Sequence, residues 1–320
     1  MNKGEDRPPL SWLFANRMRR AAAFNYWIRD TLTGVVGLTS QAMLRFLPID
    51  VASTLGALFG PLIGRVTGSF LIPDASTRDT WMRLRPETSS ASQADAAIAR
   101  ARRQVGRVMA EYSALPYLCT AGRIAVSGAE HIRAAFDADR PIIIAGLHLG
   151  NWEVIGPALV GLGYRVSCFY EPPLNRFDHA FVVAARRRWG AAVIYPDIAG
   201  TRRALRILRA RDGVLLMYID EIFHGLVNAP AFGRNRAIDG NIARVARLAA
   251  MTDAVVIPAY IERLDGARFR LLVRPPVTLT RSMNRDHDLT VNAGRLDETI
   301  EPIIRGQLEQ WYFLSQFKFD

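Results

Sequence analysis

The sequence predicts an α/β domain with a largely parallel sheet, helices on both of its faces, and an N-terminal apolar helical segment ahead of it. Two observations carry the domain: strand-like and helix-like stretches alternate from residue 123 onward, and runs such as PIIIAGL are apolar throughout, as in buried strands. A third carries the leading segment, since residues 21–72 are rich in Ala, Leu, Gly, Val and Phe. At 320 residues, 50% hydrophobic and 22% charged, the chain can bury one large core or two smaller ones. The expected division is an N-terminal segment, 1–72, and the α/β domain, 73–320.

In chain order, MNKGEDRPPL mixes acid and base and leads into no short apolar core with a cleavage site, unlike a secretory signal. In 21–72, Arg29, Asp30, Arg45, Asp50 and Arg65 break the apolar run. The longest uncharged windows, 31–44 and 51–64, fall short of the roughly 20 residues needed to span a bilayer. Helices lying in the membrane interface fit, with Trp12, Phe14, Trp27 and Phe46 near arginines that meet headgroups, and so do two ordinary core helices. Residues 73–94 read as a linker whose polar PETSSASQ portion ends in a helix cap. In the helix that follows, Ile98, Val105, Val108, Met109 and Tyr112 share a face, while Arg100, Arg102, Arg103 and Arg107 lie elsewhere around it.

Beyond that helix, strands are expected at 123–128 and 141–147. A helix at 152–162 contains Pro157, which predicts a late start or a kink. A strand follows at 165–170, then helices at 176–189 and 200–211 with the strand AAVIY between them. Strands at 213–219 and 254–262 bracket a helix at 240–251. The sequence has no internal repeat and no low-complexity tract.

The net charge of +11 is almost all arginine, since Lys3 and Lys318 are the only lysines. Guanidinium groups match phosphate bidentately, although genomic base composition would leave the same bias. Such a surface attracts nucleic acid, anionic lipid or an acidic carrier protein. Nucleic acid fits least, because no exposed sheet interleaves aromatic residues with the arginines. Cys119 and Cys168 are too few for a disulfide framework and lack metal-ligand spacing, which suits a reducing compartment.

The chemistry-bearing stretch is PIIIAGLHLGNWE, 141–153. His148 ends an apolar strand, and open α/β sheets bind ligands beyond the carboxyl ends of their strands. Gly146 and Gly150 allow close backbone approach, Asn151 is a good N-cap, and Glu153 falls in the first helical turn, where the dipole favours its ionised form. A turn between His148 and Glu153 would bring the carboxylate to one imidazole nitrogen and leave the other to take a proton from a hydroxyl. The spacing alone fits a structural histidine equally well. The templates GxSxG, GxxxxGK[ST], GxGxxG after a strand, and HExxH are absent.

GLHLGNWE resembles the signature of the bacterial lysophospholipid acyltransferase superfamily, in the branch of the late lipid A acyltransferases. The family's His-x-x-x-x-Asp/Glu box matches His148 and Glu153, with Gly150, Asn151 and Trp152 inside it. A second block matches Tyr170, Pro172, Asn175 and Arg188-Trp189-Gly190, and a third Asp220, Pro230-x-Phe232-Gly233 and Val256-Ile257-Pro258. Together they cover roughly residues 105–280. Glu171 stands where arginine commonly follows the tyrosine, and Asp239 where threonine is common, which bears on the acceptor.

The resemblance implies a membrane-associated O-acyltransferase on the cytoplasmic face of the inner membrane. It would move a fatty acyl chain from an acyl carrier protein or coenzyme A thioester to a hydroxyl of a glycolipid, a lipid A precursor, without metal or redox cofactor. His148, held by Glu153, would be the base, and backbone amides near Gly150 would stabilise the oxyanion. Gly150 and Asn151 would line the substrate site. Arg186, Arg188 and Arg234 are candidates for acceptor phosphates or plain surface arginines, and Asp220 for positioning the acceptor or supporting an arginine. The alternatives are another lipid acceptor, a phosphoglycolipid or an amino-acid lipid, or a non-catalytic basic lipid-binding protein.

Overall fold

The computed structural model describes residues 7–67, 75–87, 90–173, 175–235 and 238–319. The helices begin with α1 (Arg17–Phe24), α2 (Asp30–Leu44), α3 (Ile49–Thr67), α4 (Ala75–Leu84), α5 (Ala91–Glu111) and α6 (Leu115–Thr120). Alternation then sets in: β1 (Ile124–Ser127), α7 (Ala129–Asp137), β2 (Ile142–Gly146), α8 (Ile155–Gly161), β3 (Val166–Phe169), α9 (Arg176–Arg188), β4 (Ala192–Ile194), α10 (Ile198–Ala210) and β5 (Val214–Tyr218). A hairpin of β6 (Ile222–Phe223) and β7 (Leu226–Val227) leads to α11 (Gly240–Thr252), β8 (Val255–Arg263), β9 (Phe269–Val273) and α12 (Arg285–Gly306).

Seven strands form one sheet in the order β1-β9-β8-β2-β5-β3-β4. Every pairing in it is parallel except β8 with β9, which a turn joins as antiparallel neighbours. The largely parallel expectation holds, while β9, unread in the sequence, turns it and β1 against the other five. Period-two alternation divides β2 between two cores. Ile143 and Ala145 pack on one face with α4, the start of α5, α10, α11 and α12; Ile142 and Ile144 pack on the other with α6, α7 and α8. Both faces are covered, which is why the central strands are apolar at successive positions.

Several local expectations change. Within the supposed linker, α4 buries Trp81 and Leu84, while Ser90 accepts a hydrogen bond from Gln93 N as the cap of α5. Residues 73–74 and 88–89 of that stretch lie outside the described residues. Of the expected apolar face of α5, Ile98, Val105, Val108 and Tyr112 are buried together with Ala94, Ala97 and Ala101, while Met109 is exposed. Pro157 does delay its helix: a 3-10 turn spans Trp152–Val154, and α8 starts at Ile155, so the missing N–H falls in the first turn where no intrahelical bond is lost.

The N-terminal segment is helical and packs on the domain. Gly56 and Gly60 of α3 meet Gly106 of α5 backbone to backbone; a Cβ on Gly56 would lie 2.4 Å from the Gly106 carbonyl oxygen. Arg176 at the start of α9 donates to Tyr26 O and to the Thr31 hydroxyl. The outer side stays apolar, with Phe14 93% and Phe46 78% exposed. Guanidinium groups stand over Trp12, Trp27 and Phe46 (Arg19, Arg7 and Arg45). Among the described residues no helix is long and apolar enough to cross a membrane.

Candidate active site

Strand register sets the site. Gly146 on β2 is the partner of Tyr218 on β5, so the chains leaving these parallel neighbours put His148 beside Asp220, each two residues on. The His148 backbone N–H is donated to both oxygens of the Asp220 carboxylate, at 2.9 and 3.1 Å. The imidazole Nδ1 lies 2.9 Å from Asp220 Oδ1 and 3.0 Å from the Asp220 carbonyl oxygen. A carbonyl only accepts, so Nδ1 carries a proton, and in the neutral ring Nε2 then carries the lone pair. Asp220 is fully buried, whereas the His148 side chain keeps 17% exposure.

Glu153, expected on the imidazole, is elsewhere. Its carboxylate pairs with Arg186 at 3.0 and 3.3 Å, both side chains buried. Burial opposes the charge on Arg186, and the combined pull of Glu153, Cys168, Tyr112 and Tyr218 more than restores it, so the guanidinium pKa lies above its ordinary value. Arg186 also stands over the Tyr170 ring, 4.8 Å from its centroid. A buried, paired guanidinium is not presented to an acceptor phosphate, and the pair instead ties the turn before α8 to α9.

The other sequence candidates sort similarly. Asn151 does not cap the helix; its Nδ2 donates at 2.9 Å to Glu111, which Arg263 grips bidentately at 2.6 and 2.8 Å. That buried trio fixes the loop after His148 to α5 and β8. Gly150 does make a close backbone approach: its φ is +58°, and a Cβ there would lie 2.5 Å from the Ile261 carbonyl oxygen. Its N–H is donated to Gln310 O, and that of Leu149 to Leu147 O. Neither amide is therefore available to an oxyanion. Arg234 donates to the carbonyls of Ala231, Val227, Pro230 and Lys318 and lies 4.0 Å over Phe317, which makes it a brace of its loop. Arg188 is exposed in the last turn of α9. Asp220 supports a histidine, not an arginine.

Sequence reasoning missed the C-terminal segment. Tyr312 N donates to His148 O, residues 149 and 311 form an antiparallel bridge, and the Trp311 indole N–H reaches Asp220 Oδ2 at 3.0 Å. Tyr312 and Phe313 stand with Trp152 and Tyr218 around the imidazole at ring separations of 4.5 to 6.1 Å. The cluster LEQWYFL at 308–314 was the available signal, an aromatic run too short for a helix face. Beside Asp220, Glu221 accepts from Asn241 N–H; burial raises its carboxyl pKa to about 7 against the opposing pull of that bond and of Arg244.

The arrangement is an imidazole held at Nδ1, backed by a buried carboxylate and walled by aromatic rings. It can accept a proton from a hydroxyl at the carboxyl edge of the sheet. Among the described residues, no three His, Cys, Asp or Glu side chains are grouped to hold a metal ion. The family model described as bacterial lipid A biosynthesis acyltransferase matches residues 21–318. No curated protein matches the chain.

Proposed function

Because the chain belongs to the bacterial lipid A biosynthesis acyltransferase family, we propose that it moves a fatty acyl chain from a thioester, carried by acyl carrier protein or coenzyme A, to a hydroxyl of a lipid A precursor. The observation that carries this is the Asp220–His148 pair, with Nδ1 engaged and Nε2 free. His148 Nε2 takes the acceptor hydroxyl proton as its oxygen forms a bond to the thioester carbonyl carbon. The tetrahedral adduct then collapses, the C–S bond breaks, and the imidazolium returns the proton to the departing thiolate. Asp220 stabilises the imidazolium between the two steps. The rings of Trp152, Tyr218, Tyr312 and Phe313 keep the reacting carbonyl from water, which favours transfer over hydrolysis.

We place the reaction at the cytoplasmic face of the inner membrane, with residues 1–72 as the interface segment. The exposed apolar side chains of α2 and α3 and the arginines beside Trp12, Trp27 and Phe46 support this, since such a surface buries apolar area among acyl chains and meets anionic headgroups. The phosphates of the acceptor would then be met by exposed arginines such as Arg188, since Arg186 and Arg234 are committed within the fold.

The test uses purified full-length protein, vesicles containing a lipid A precursor, and acyl carrier protein or coenzyme A thioesters. Mass spectrometry of the lipid should find a gain of one acyl chain, and the protein should float with the vesicles. No acylated lipid with either donor would overturn the reading.

A further inference from the structure

The Asp220 carboxylate has three donor groups around it, and one of them comes from the far end of the chain. His148 contributes its backbone N–H and its Nδ1–H, and Trp311 contributes the indole Nε1–H at 3.0 Å to Oδ2. Asp220 is 0% and Trp311 1% exposed. Both groups are shut off from bulk solvent, and in such surroundings a hydrogen bond to a charged group is at the strong end of its range.

The contact is held on both sides. Trp311 packs edge-on against Phe232, 5.8 Å between centroids, and at a tilt against Phe317, 5.9 Å away. Its backbone neighbours are laced to the histidine loop: Gln310 O accepts from Gly150 N, and Tyr312 N donates to His148 O. Gln310 Oε1 also accepts from Arg263 N at 2.7 Å, which ties the same segment to the end of β8. The indole and the imidazole therefore hold the same carboxylate from opposite oxygens, within one backbone-paired unit.

We propose that Trp311 is a positioning residue for the Asp220–His148 pair, and that the C-terminal segment is by this contact a part of the active site. Without the indole N–H, Oδ2 keeps only the His148 backbone N–H, and the carboxylate can turn about its Cβ–Cγ bond. Oδ1 then loses its fixed direction toward Nδ1, and Nε2 its aim at the acceptor hydroxyl.

This inference rests on the acyl-transfer reading for its rates, but not for its spectroscopy. Trp311→Phe keeps an aromatic ring among Phe232, Phe313 and Phe317 and removes only the donor. In the full-length protein its kcat should fall by about 10²-fold, the scale of small misplacements at a reacting centre, with KM little changed. In histidine-labelled protein the His148 Nδ1–H signal should move. In an Asp220→Asn background, Trp311→Phe should add less than about twofold, because two residues acting through one contact are not additive. Trp81→Phe, in the core on α4, controls for lost aromatic volume and should leave the rate unchanged. Trp311→Tyr serves if Trp311→Phe does not fold. An unmoved His148 Nδ1–H signal, or rate effects of Trp311→Phe and Asp220→Asn that simply multiply, would overturn the proposal. A wild type inert toward every thioester would instead count against acyl transfer and leave the imidazole measurement to decide the role of Trp311.

Discussion

Glu153 and Arg186 form an ion pair at 3.0 Å with each side chain 9% exposed. The acid of the His-x-x-x-x-Glu box thus serves the packing of two helices, and the carboxylate on the imidazole is that of Asp220, 72 residues further on. Removing Glu153 leaves Arg186 as a buried unpaired charge. Glu153→Ala should therefore destabilise the protein by about 3–5 kcal/mol, read by chemical denaturation. Replacing both residues by methionine should recover most of that loss. A Glu153→Ala midpoint equal to wild type would contradict the structural role.

Glu221 gives stability a pH dependence of known sign. Its carboxyl has an ordinary value of 4.5, and burial raises it to about 7. Between those values the native state holds a proton that the unfolded chain has released, so this group's contribution falls as pH rises through the window. The change is on the order of 3 kcal/mol. Glu221→Gln still accepts from Asn241 N–H and should flatten stability between about pH 4.5 and 7. The slope surviving in that variant would assign it to other groups.

Arg234 and Arg188 should separate cleanly. Arg234→Ala leaves several backbone carbonyls without their donor and should cost about 2 kcal/mol or more in thermal or denaturant unfolding. Arg188→Ala, on an exposed helix end, should change stability by less than about 0.5 kcal/mol and weaken acceptor use alone. Equal stability losses in the two variants would refute this division.

What was legible in the sequence was local. Continuous apolar runs marked β2, β5 and β8, and the glycine at 150 marked a backbone approach that Ile261 bears out. Chain-local reasoning joined His148 to the nearest acid, five residues away. The true partner depends on β2 and β5 being neighbours in the sheet, a fact of strand order that no spacing carries. The same limit hid Trp311, which reaches Asp220 across 91 residues. Arginines looked alike as phosphate ligands because charge is written in the sequence, whereas burial of Arg186 against Glu153 and the carbonyl contacts of Arg234 arise only on folding.

The Asp220–His148 pairing is the central claim, and the turnover of Asp220→Asn tests it most directly. Asparagine keeps the shape but neither the charge that stabilises imidazolium nor the preference for an Nδ1–H tautomer. With folded protein confirmed by circular dichroism, kcat for acyl transfer should fall by about 10³- to 10⁴-fold, while any loss in Glu153→Gln should match its loss of folded protein. Near-native turnover by Asp220→Asn, beside a fully folded but inactive Glu153→Gln, would contradict the account and return the catalytic role to Glu153.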